Sequence, residues 1–326
     1  MVSSALVMSI PSPSVSVWHI GAFPIRAYAL AIITGIILAW YILSRRYRAK
    51  GGDSDVTVDI AVWAVLFGIV GARLYYVATD WDLYFGEGRN PVDAFKIWNG
   101  GLGIWGGVAA GALGAYIAAR RNNLRLAPIG DALVPGLLLA QAVGRFGNYF
   151  NQELYGKPTK LPWALEIDAA HLVDGYPVGT TFHPTFLYET LWCLLGIVVL
   201  LWCEKRFSLI GGQLFAAYLI WYTAGRFWIE SLRIDKSHTI YGLRFNMWTS
   251  VIIFIAACIL FAYLRRRVKA DPHANDIYRD EALVDTDGSN LPRHCEEGGT
   301  PDEAISHNDE NIKDEVTPEK ESEERR

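Results

Sequence analysis

The stretch "GRFGNYFNQELYG", residues 144–156, follows Leu137, Leu138, Leu139, Ala140, Ala142 and Val143, a run that reads as helix in lipid. An arginine, three side-chain amides and a glutamate then stand where a membrane helix should finish quietly. The fold turns on this junction. If the apolar half spans a bilayer, the polar half is either a costly exception or a site, because a charge near a helix centre costs about 2.5–3.5 kcal/mol on insertion scales.

Working outward, a spanning helix needs about 20 mostly apolar residues. Uncharged runs of near that length occur at 27–44, 97–119, 207–225 and 245–264. Three more carry polar exceptions: 56–78 with Asp59 and Arg73, 128–144 with Asp131 and Pro135, and 183–203 with His183 and Glu189. The sequence therefore predicts an all-α membrane protein with seven transmembrane helices. The span at 128–144 is the shortest and is interrupted.

Composition agrees: 52% of residues are hydrophobic, above the roughly 45–50% of a soluble domain. The charge is split. Residues 271–326 hold 18 Asp and Glu against 6 Lys and Arg, a net of −12, which leaves about +8 for residues 1–270 of a chain at −4. Such an acidic segment buries too little apolar surface to offset its ordering entropy, so a disordered acidic C-terminal tail is expected. Cys193, Cys203, Cys258 and Cys295 show no CxxC spacing, so no disulfide framework or zinc site is expected. The N-terminus has no basic region followed by a cleavage site, which argues against a removed signal peptide.

Sidedness follows from the basic loops. "SRRYRAK", "RRNNLR", "EKRF" and "RRRVK" follow spans 1, 3, 5 and 7, and all assign to the cytoplasm. The N-terminus is then outside and the C-terminus inside. The expected organisation is an external segment 1–26, a spanning catalytic domain 27–268 with an external head at about 151–182, and a cytoplasmic tail 269–326. "WALEI" in the head alternates like a short strand.

Arg73, Arg145 and Arg226 then fall at the external ends of spans 2, 4 and 6, with Asp131, Glu153, Glu189 and Glu230 as candidate partners. Any one of them reads equally as a structural ion pair or a snorkelling anchor. Three together, beside an Asn-rich stretch, favour convergence on a phosphate, which planar guanidinium forks grip bidentately. Arg226 and Glu230 are four apart on one helical face, to which Tyr222 adds a polar tip. Asn148 and Asn151 offer amide groups, and Glu153 can orient an arginine or take a proton. His183 in "HPTFLYE" reads as a cap or packed histidine as readily as a ligand contact, and "GGLGIWGG" (100–107) as close helix packing or backbone approach to a ligand.

Together "PIRAYAL", "GARLYYV", "GGLGIWGG", "GRFGNYFNQELYG", "HPTFLYE" and "YTAGRFWIE" resemble the prolipoprotein diacylglyceryl transferase family, over roughly residues 10–268. The resemblance implies a seven-span enzyme of the bacterial inner (plasma) membrane with an outward-facing site. It moves the diacylglyceryl group of phosphatidylglycerol to the lipobox cysteine thiol of a prelipoprotein and releases glycerol 1-phosphate. By position it implies catalytic roles for Arg145, Arg226, Glu153 and Tyr28. Arg145, Arg73, Asn148, Asn151, Gly156, Tyr222, Glu230 and His183 are the expected substrate contacts. The partners expected are phosphatidylglycerol, the prelipoprotein signal peptide and the bilayer, with no cofactor, metal or nucleic acid. One position departs: many members carry a histidine where this chain has Trp105, and an indole takes no proton. Glu153, His183 and a lipid phosphate oxygen remain as acceptors for the thiol proton. A transporter would need mid-membrane polar residues and an inverted repeat, and an intramembrane protease a GxSxG or paired aspartates; neither pattern is present. A non-catalytic lipid-binding scaffold stays open.

Overall fold

The computed structural model describes residues 9–279 except 22, 87 and 272. A hairpin of β1 (Val17–Ile20) and β2 (Phe23–Arg26) leads into α1 (Ala27–Arg48) and α2 (Asp55–Thr79). A short α3 (Asp82–Phe85) and two 3-10 turns precede α4 (Ile104–Arg121) and α5 (Leu126–Phe150). β3 (Leu165–Glu166) and β4 (Thr181–Phe182) pair antiparallel in the head, so the strand expected in "WALEI" is present. Then come α6 (Thr185–Phe207), α7 (Gln213–Leu232), the hairpin β5 (Thr239–Ile240)–β6 (Leu243–Arg244) and α8 (Phe245–Ala270).

Among the described residues five helices are long and apolar enough to cross a membrane: α1, α2, α5, α6 and α8. The other two expected spans exist as helices with more polar content. α4 is glycine-rich and ends in Arg120 and Arg121, and α7 carries Gln213, Arg226 and Glu230.

Small residues set the helix pairing, because tails offer no hydrophobic drive and close backbone approach must hold neighbours together. α1 and α5 run antiparallel. A Cβ on Gly35 would lie 3.1 Å from the Ala140 carbonyl oxygen, and one on Gly136 would lie 2.8 Å from that of Ala39. α2 and α4 pair likewise: a Cβ on Gly71 would meet the Ala110 Cβ at 2.2 Å and the Gly106 oxygen at 2.6 Å. Gly71→Ala is therefore expected to force this pair apart and destabilise the purified protein by about 1–3 kcal/mol. An unshifted thermal melt would show that the pair has slack.

Two boundaries differ from expectation. Span 3 was expected at 97–119, but α4 starts only at Ile104. Gly100 and Gly101 take φ of +85° and +76°, which turns the chain and presents both carbonyls to Arg73. Span 4, expected at 128–144, runs on to Phe150 through Pro135, so "GRFGNYF" is helix and not post-helix loop. Half of the most apolar window of α5 is buried inside the protein, against 17% for α1, so its polar side chains meet protein and not lipid.

At the other end of the bundle the chain after α8 folds back. The Arg125 N–H donates to Ile277 O at 2.8 Å, and Ile277 packs with Leu43, Tyr47 and Ile60. The first residues of the segment expected to be tail, up to Arg279, are thus built onto the bundle. The rest of the expected disordered tail lies outside the described residues.

Candidate active site

The last two turns of α5, the first turns of α6 and the end of α7 meet beside the head. Glu189, one turn into α6, joins the other two helices. Its Oε2 lies 2.5 Å from Arg145 Nε and its Oε1 accepts from Arg226 at 2.9 Å. Arg226 also reaches Glu230, four residues on, at 2.8 Å. The carboxylate is nearly sealed, with 8% of its side chain exposed, while Arg145 keeps 21% and Arg226 19%. The two arginine side chains are thus tied to one carboxylate while each keeps about a fifth of its surface exposed. Tyr222 interacts with Arg145 through its hydroxyl. Glu189, Tyr222 and Arg226 line a small cavity with Trp192, Cys193, Gly225 and Ile229.

Arg145 also organises the start of the head. Its NH1 donates to Asn148 Oδ1 at 3.1 Å, and Asn148 Nδ2 donates to Glu153 at 2.8 Å. Asn151 caps the end of α5 and reaches the same Glu153 oxygen at 3.4 Å. The residues flanking Glu153 are both left-handed, Gln152 at φ +51° and Leu154 at φ +60°. Non-glycine residues there cost about 1–3 kcal/mol each and persist only where surroundings over-determine them. Gln152 is held by a two-way exchange with Asp168 (2.6 and 2.8 Å), and the Leu154 carbonyl accepts from Thr185 at 2.5 Å. The strain presents an exposed carboxylate at the mouth of the arginine cluster.

Behind Arg226 lies a second layer, of which the sequence expectations contain only Glu230. Glu230 is fully buried and accepts from Arg226, from Arg233 (3.1 Å), from Arg244 (2.8 Å) and from Asn246 (3.1 Å). Asp235 takes both forks of Arg233 at 2.8 and 2.9 Å and Arg244 at 2.9 Å. Burial alone would raise the Asp235 carboxyl, but Arg233 and Arg244 hold it below the usual carboxylate range. Four arginines thus face three buried or half-buried carboxylates, with the exposed Glu153 at the mouth as the fourth acid. The spacing of Glu230 and Arg233 (i, i+3) could have signalled part of this layer; nothing local marks Arg244 or Asn246.

Other expected site residues occupy different places. Gly156 donates its N–H to His183 O at 2.9 Å, and a Cβ there would meet the His183 Cβ at 2.8 Å, so this glycine joins head to bundle. His183 Nδ1 pairs with the Tyr188 hydroxyl at 2.9 Å, and burial, with Lys157 nearby, holds the imidazole below its usual value. Both effects favour the neutral imidazole. Tyr28 is 38% exposed and packs its ring on Gly147, at the Arg145 end of α5. Arg73, also expected as a substrate contact, is engaged with backbone. Four of its N–H groups are spent on the carbonyls of Asp93, Ala94, Gly100 and Gly101, and its guanidinium lies 5.1 Å from the Tyr84 ring centroid, so it ties down the loop before α4. Asp131, a candidate arginine partner, is at the opposite end of α5, where it accepts from the backbone N–H of Gly212 and Phe215 and caps α7. Among the described residues no group of three or more His, Cys, Asp or Glu side chains could hold a metal.

Fold and cluster together define a helical membrane protein that holds two arginine side chains on one bridging carboxylate. The sequence profile of prolipoprotein diacylglyceryl transferase matches residues 15–263. The chain is 50% identical over 284 residues to the phosphatidylglycerol–prolipoprotein diacylglyceryl transferase of Streptomyces griseus subsp. griseus, covering 86% of this chain and 85% of that one. It is 55% identical over 263 residues to the enzyme of that name from Frankia alni (81% and 69%), and 48% over 269 residues to that from Cutibacterium acnes (82% and 91%). The chain belongs to the prolipoprotein diacylglyceryl transferase family.

Proposed function

We propose that this chain transfers the diacylglyceryl group of phosphatidylglycerol to the lipobox cysteine of a prelipoprotein. The cysteine sulfur forms a bond to the glycerol methylene as the methylene–oxygen bond to phosphate breaks. The thiol proton ends on the released glycerol 1-phosphate. The observation that carries this reading is the Glu189-bridged pair, Arg145 and Arg226, whose guanidinium groups have N–H donors left over after their ion pairs. A phosphate diester is an anion that those donors suit. As the ester oxygen departs, the phosphate gains charge against groups already fixed in place, so little reorganisation is needed. The thiolate is the competent nucleophile and an unperturbed cysteine titrates near about 8.5. Trp105 supplies no base. Glu153, held towards the cluster through Asn148, neutral His183 and the lipid phosphate itself are the acceptors at hand.

In this reading all seven long helices cross the bilayer, with the arginine cluster and head outside and the acidic tail in the cytoplasm. The basic last turns of α1, α4, α6 and α8 support it, since all four lie at the end away from the arginines. Asn151 and Gly156 shape the chain beside the clamp, and Arg73 the loop before α4. Tyr28, Asn148, Tyr222 and His183 orient lipid or peptide, and the buried Glu230 acts from behind through Arg226.

The test is to incubate purified protein with labelled phosphatidylglycerol and a lipobox peptide. A peptide mass gain equal to one diacylglyceryl group, with release of glycerol phosphate, is expected. Bound lipid without transfer would make the chain a scaffold and end the enzymatic reading.

A further inference from the structure

α6 and α7 are joined by a contact that the transfer chemistry does not use. The indoles of Trp192 and Trp221 stack with centroids 4.4 Å apart and planes at 17°. Each donates to the other's backbone carbonyl: Trp192 Nε1 to Trp221 O at 3.0 Å, and Trp221 Nε1 to Trp192 O at 3.1 Å. Each ring also rests on a glycine of the facing helix. A Cβ on Gly225 would come within 2.1 Å of Trp192 Nε1, and one on Gly196 within 2.4 Å of Trp221 Nε1. Two rigid groups, two directional bonds and two glycine seats fix both the spacing and the rotation of one helix against the other. Packing alone would not need reciprocal bonds, and each N–H left unpaired away from water would cost about 1–3 kcal/mol.

This joint sits where the bridge is made. Trp192 is three residues beyond Glu189 on α6, and Gly225 is the immediate neighbour of Arg226 on α7. Trp192 and Gly225 line the same cavity as Glu189 and Arg226. One carboxylate reaches Arg145 at 2.5 Å and Arg226 at 2.9 Å only while α6 keeps its distance from α5 and α7 together. A slide of about 1 Å lengthens one bond beyond hydrogen-bonding range, and misplacements of that size can cost about a hundredfold in rate.

We propose that the reciprocal Trp192–Trp221 clasp is a positioning element of the active site, which holds Glu189 where it can bridge both arginines. The inference rests on the reading of Arg145 and Arg226 as the phosphate clamp. Neither tryptophan need touch the reacting atoms.

Trp192→Phe and Trp221→Phe each delete one N–H donor and keep an aromatic ring. In the transfer assay, with the purified full chain in phosphatidylglycerol micelles, each is expected to lower kcat about tenfold while the KM for the lipobox peptide moves less than about twofold. Gly225→Ala presses on Trp192 from the other helix and is expected to do the same. In a Glu189→Gln background, where the ionic bridge is already lost, Trp192→Phe should add less than about a further twofold. A merely structural joint would instead repeat its full loss in that background, and that result, or normal turnover in both Phe variants, overturns the proposal. The two readings fail separately: active Arg145→Ala and Arg226→Ala variants remove the clamp, whereas inactive arginine variants beside fully active Phe variants remove only the clasp.

Discussion

Arg145→Ala and Arg226→Ala are each expected to lower thioether formation by about three orders of magnitude or more while the protein still inserts and purifies. Removing one neutral donor from a preorganised anion site already costs about 10²–10³ in rate, and each of these changes removes a charge as well. The two losses differ in kind. Without Arg145, Asn148 loses its donor and Glu153 its link to the cluster, so positioning at the head suffers along with charge. Without Arg226, Glu189 and Glu230 lose their common partner, so the bridge from Arg145 to the buried layer is cut. Lysine at either position keeps the charge and loses the planar fork, so an intermediate rate is expected. The measurement is the rate of mass gain on a lipobox peptide at saturating phosphatidylglycerol. Near-normal turnover by either alanine variant would leave the clamp without a role.

Glu230→Gln should produce the largest loss of stability in the bundle. The carboxylate is fully buried and accepts from three guanidinium groups and one amide. Removing its charge leaves Arg226, Arg233 and Arg244 with only Glu189 and Asp235 to answer them. Breaking a buried ionic assembly from one side costs about 3–5 kcal/mol, because the remaining charges stay desolvated. A clear fall in melting temperature of the purified protein is expected, with a fall in transfer because Arg226 loses its rear anchor. If the variant melts like the parent, the Arg233–Asp235–Arg244 arrangement carries itself and Glu230 is not its centre.

Much of this site could be read from residue type and spacing, and the gaps have identifiable causes. Arg145, Asn148 and Glu153 were conspicuous because they interrupt an apolar run, where each polar group needs a reason. Hydropathy does not show that Arg145 and Asn148 are still helical, because it tells whether a segment suits lipid and not whether it suits a protein interior. That is also why α7 reads as a span to about residue 225 while its helix runs on to Leu232. Glu189 was visible only as one candidate partner among several. Its place between two arginines depends on α6 lying against both α5 and α7, a fact about packing across the chain. The partners of Arg73 are illegible in the sequence for a different reason: a buried guanidinium can be satisfied by backbone carbonyls, and no pattern of residue types announces a loop that offers four of them. The Trp192–Trp221 clasp was invisible, since aromatic residues are common in such helices and reciprocity is a property of pairs.

Asp131 and Arg145 sit on one helix, fourteen residues apart, and each engages α7, the first through backbone at its beginning and the second through Tyr222 and Glu189 towards its end. At about 1.5 Å per residue the two attachments are roughly 20 Å apart along the axis. The two parallel rods therefore behave as a single spar. In the proposed topology, in which α5 and α7 both cross the bilayer, a change in its thickness is met by tilting that spar as a unit. The relative height of the two guanidinium groups is set by the Asp131 attachment at the spar's other end.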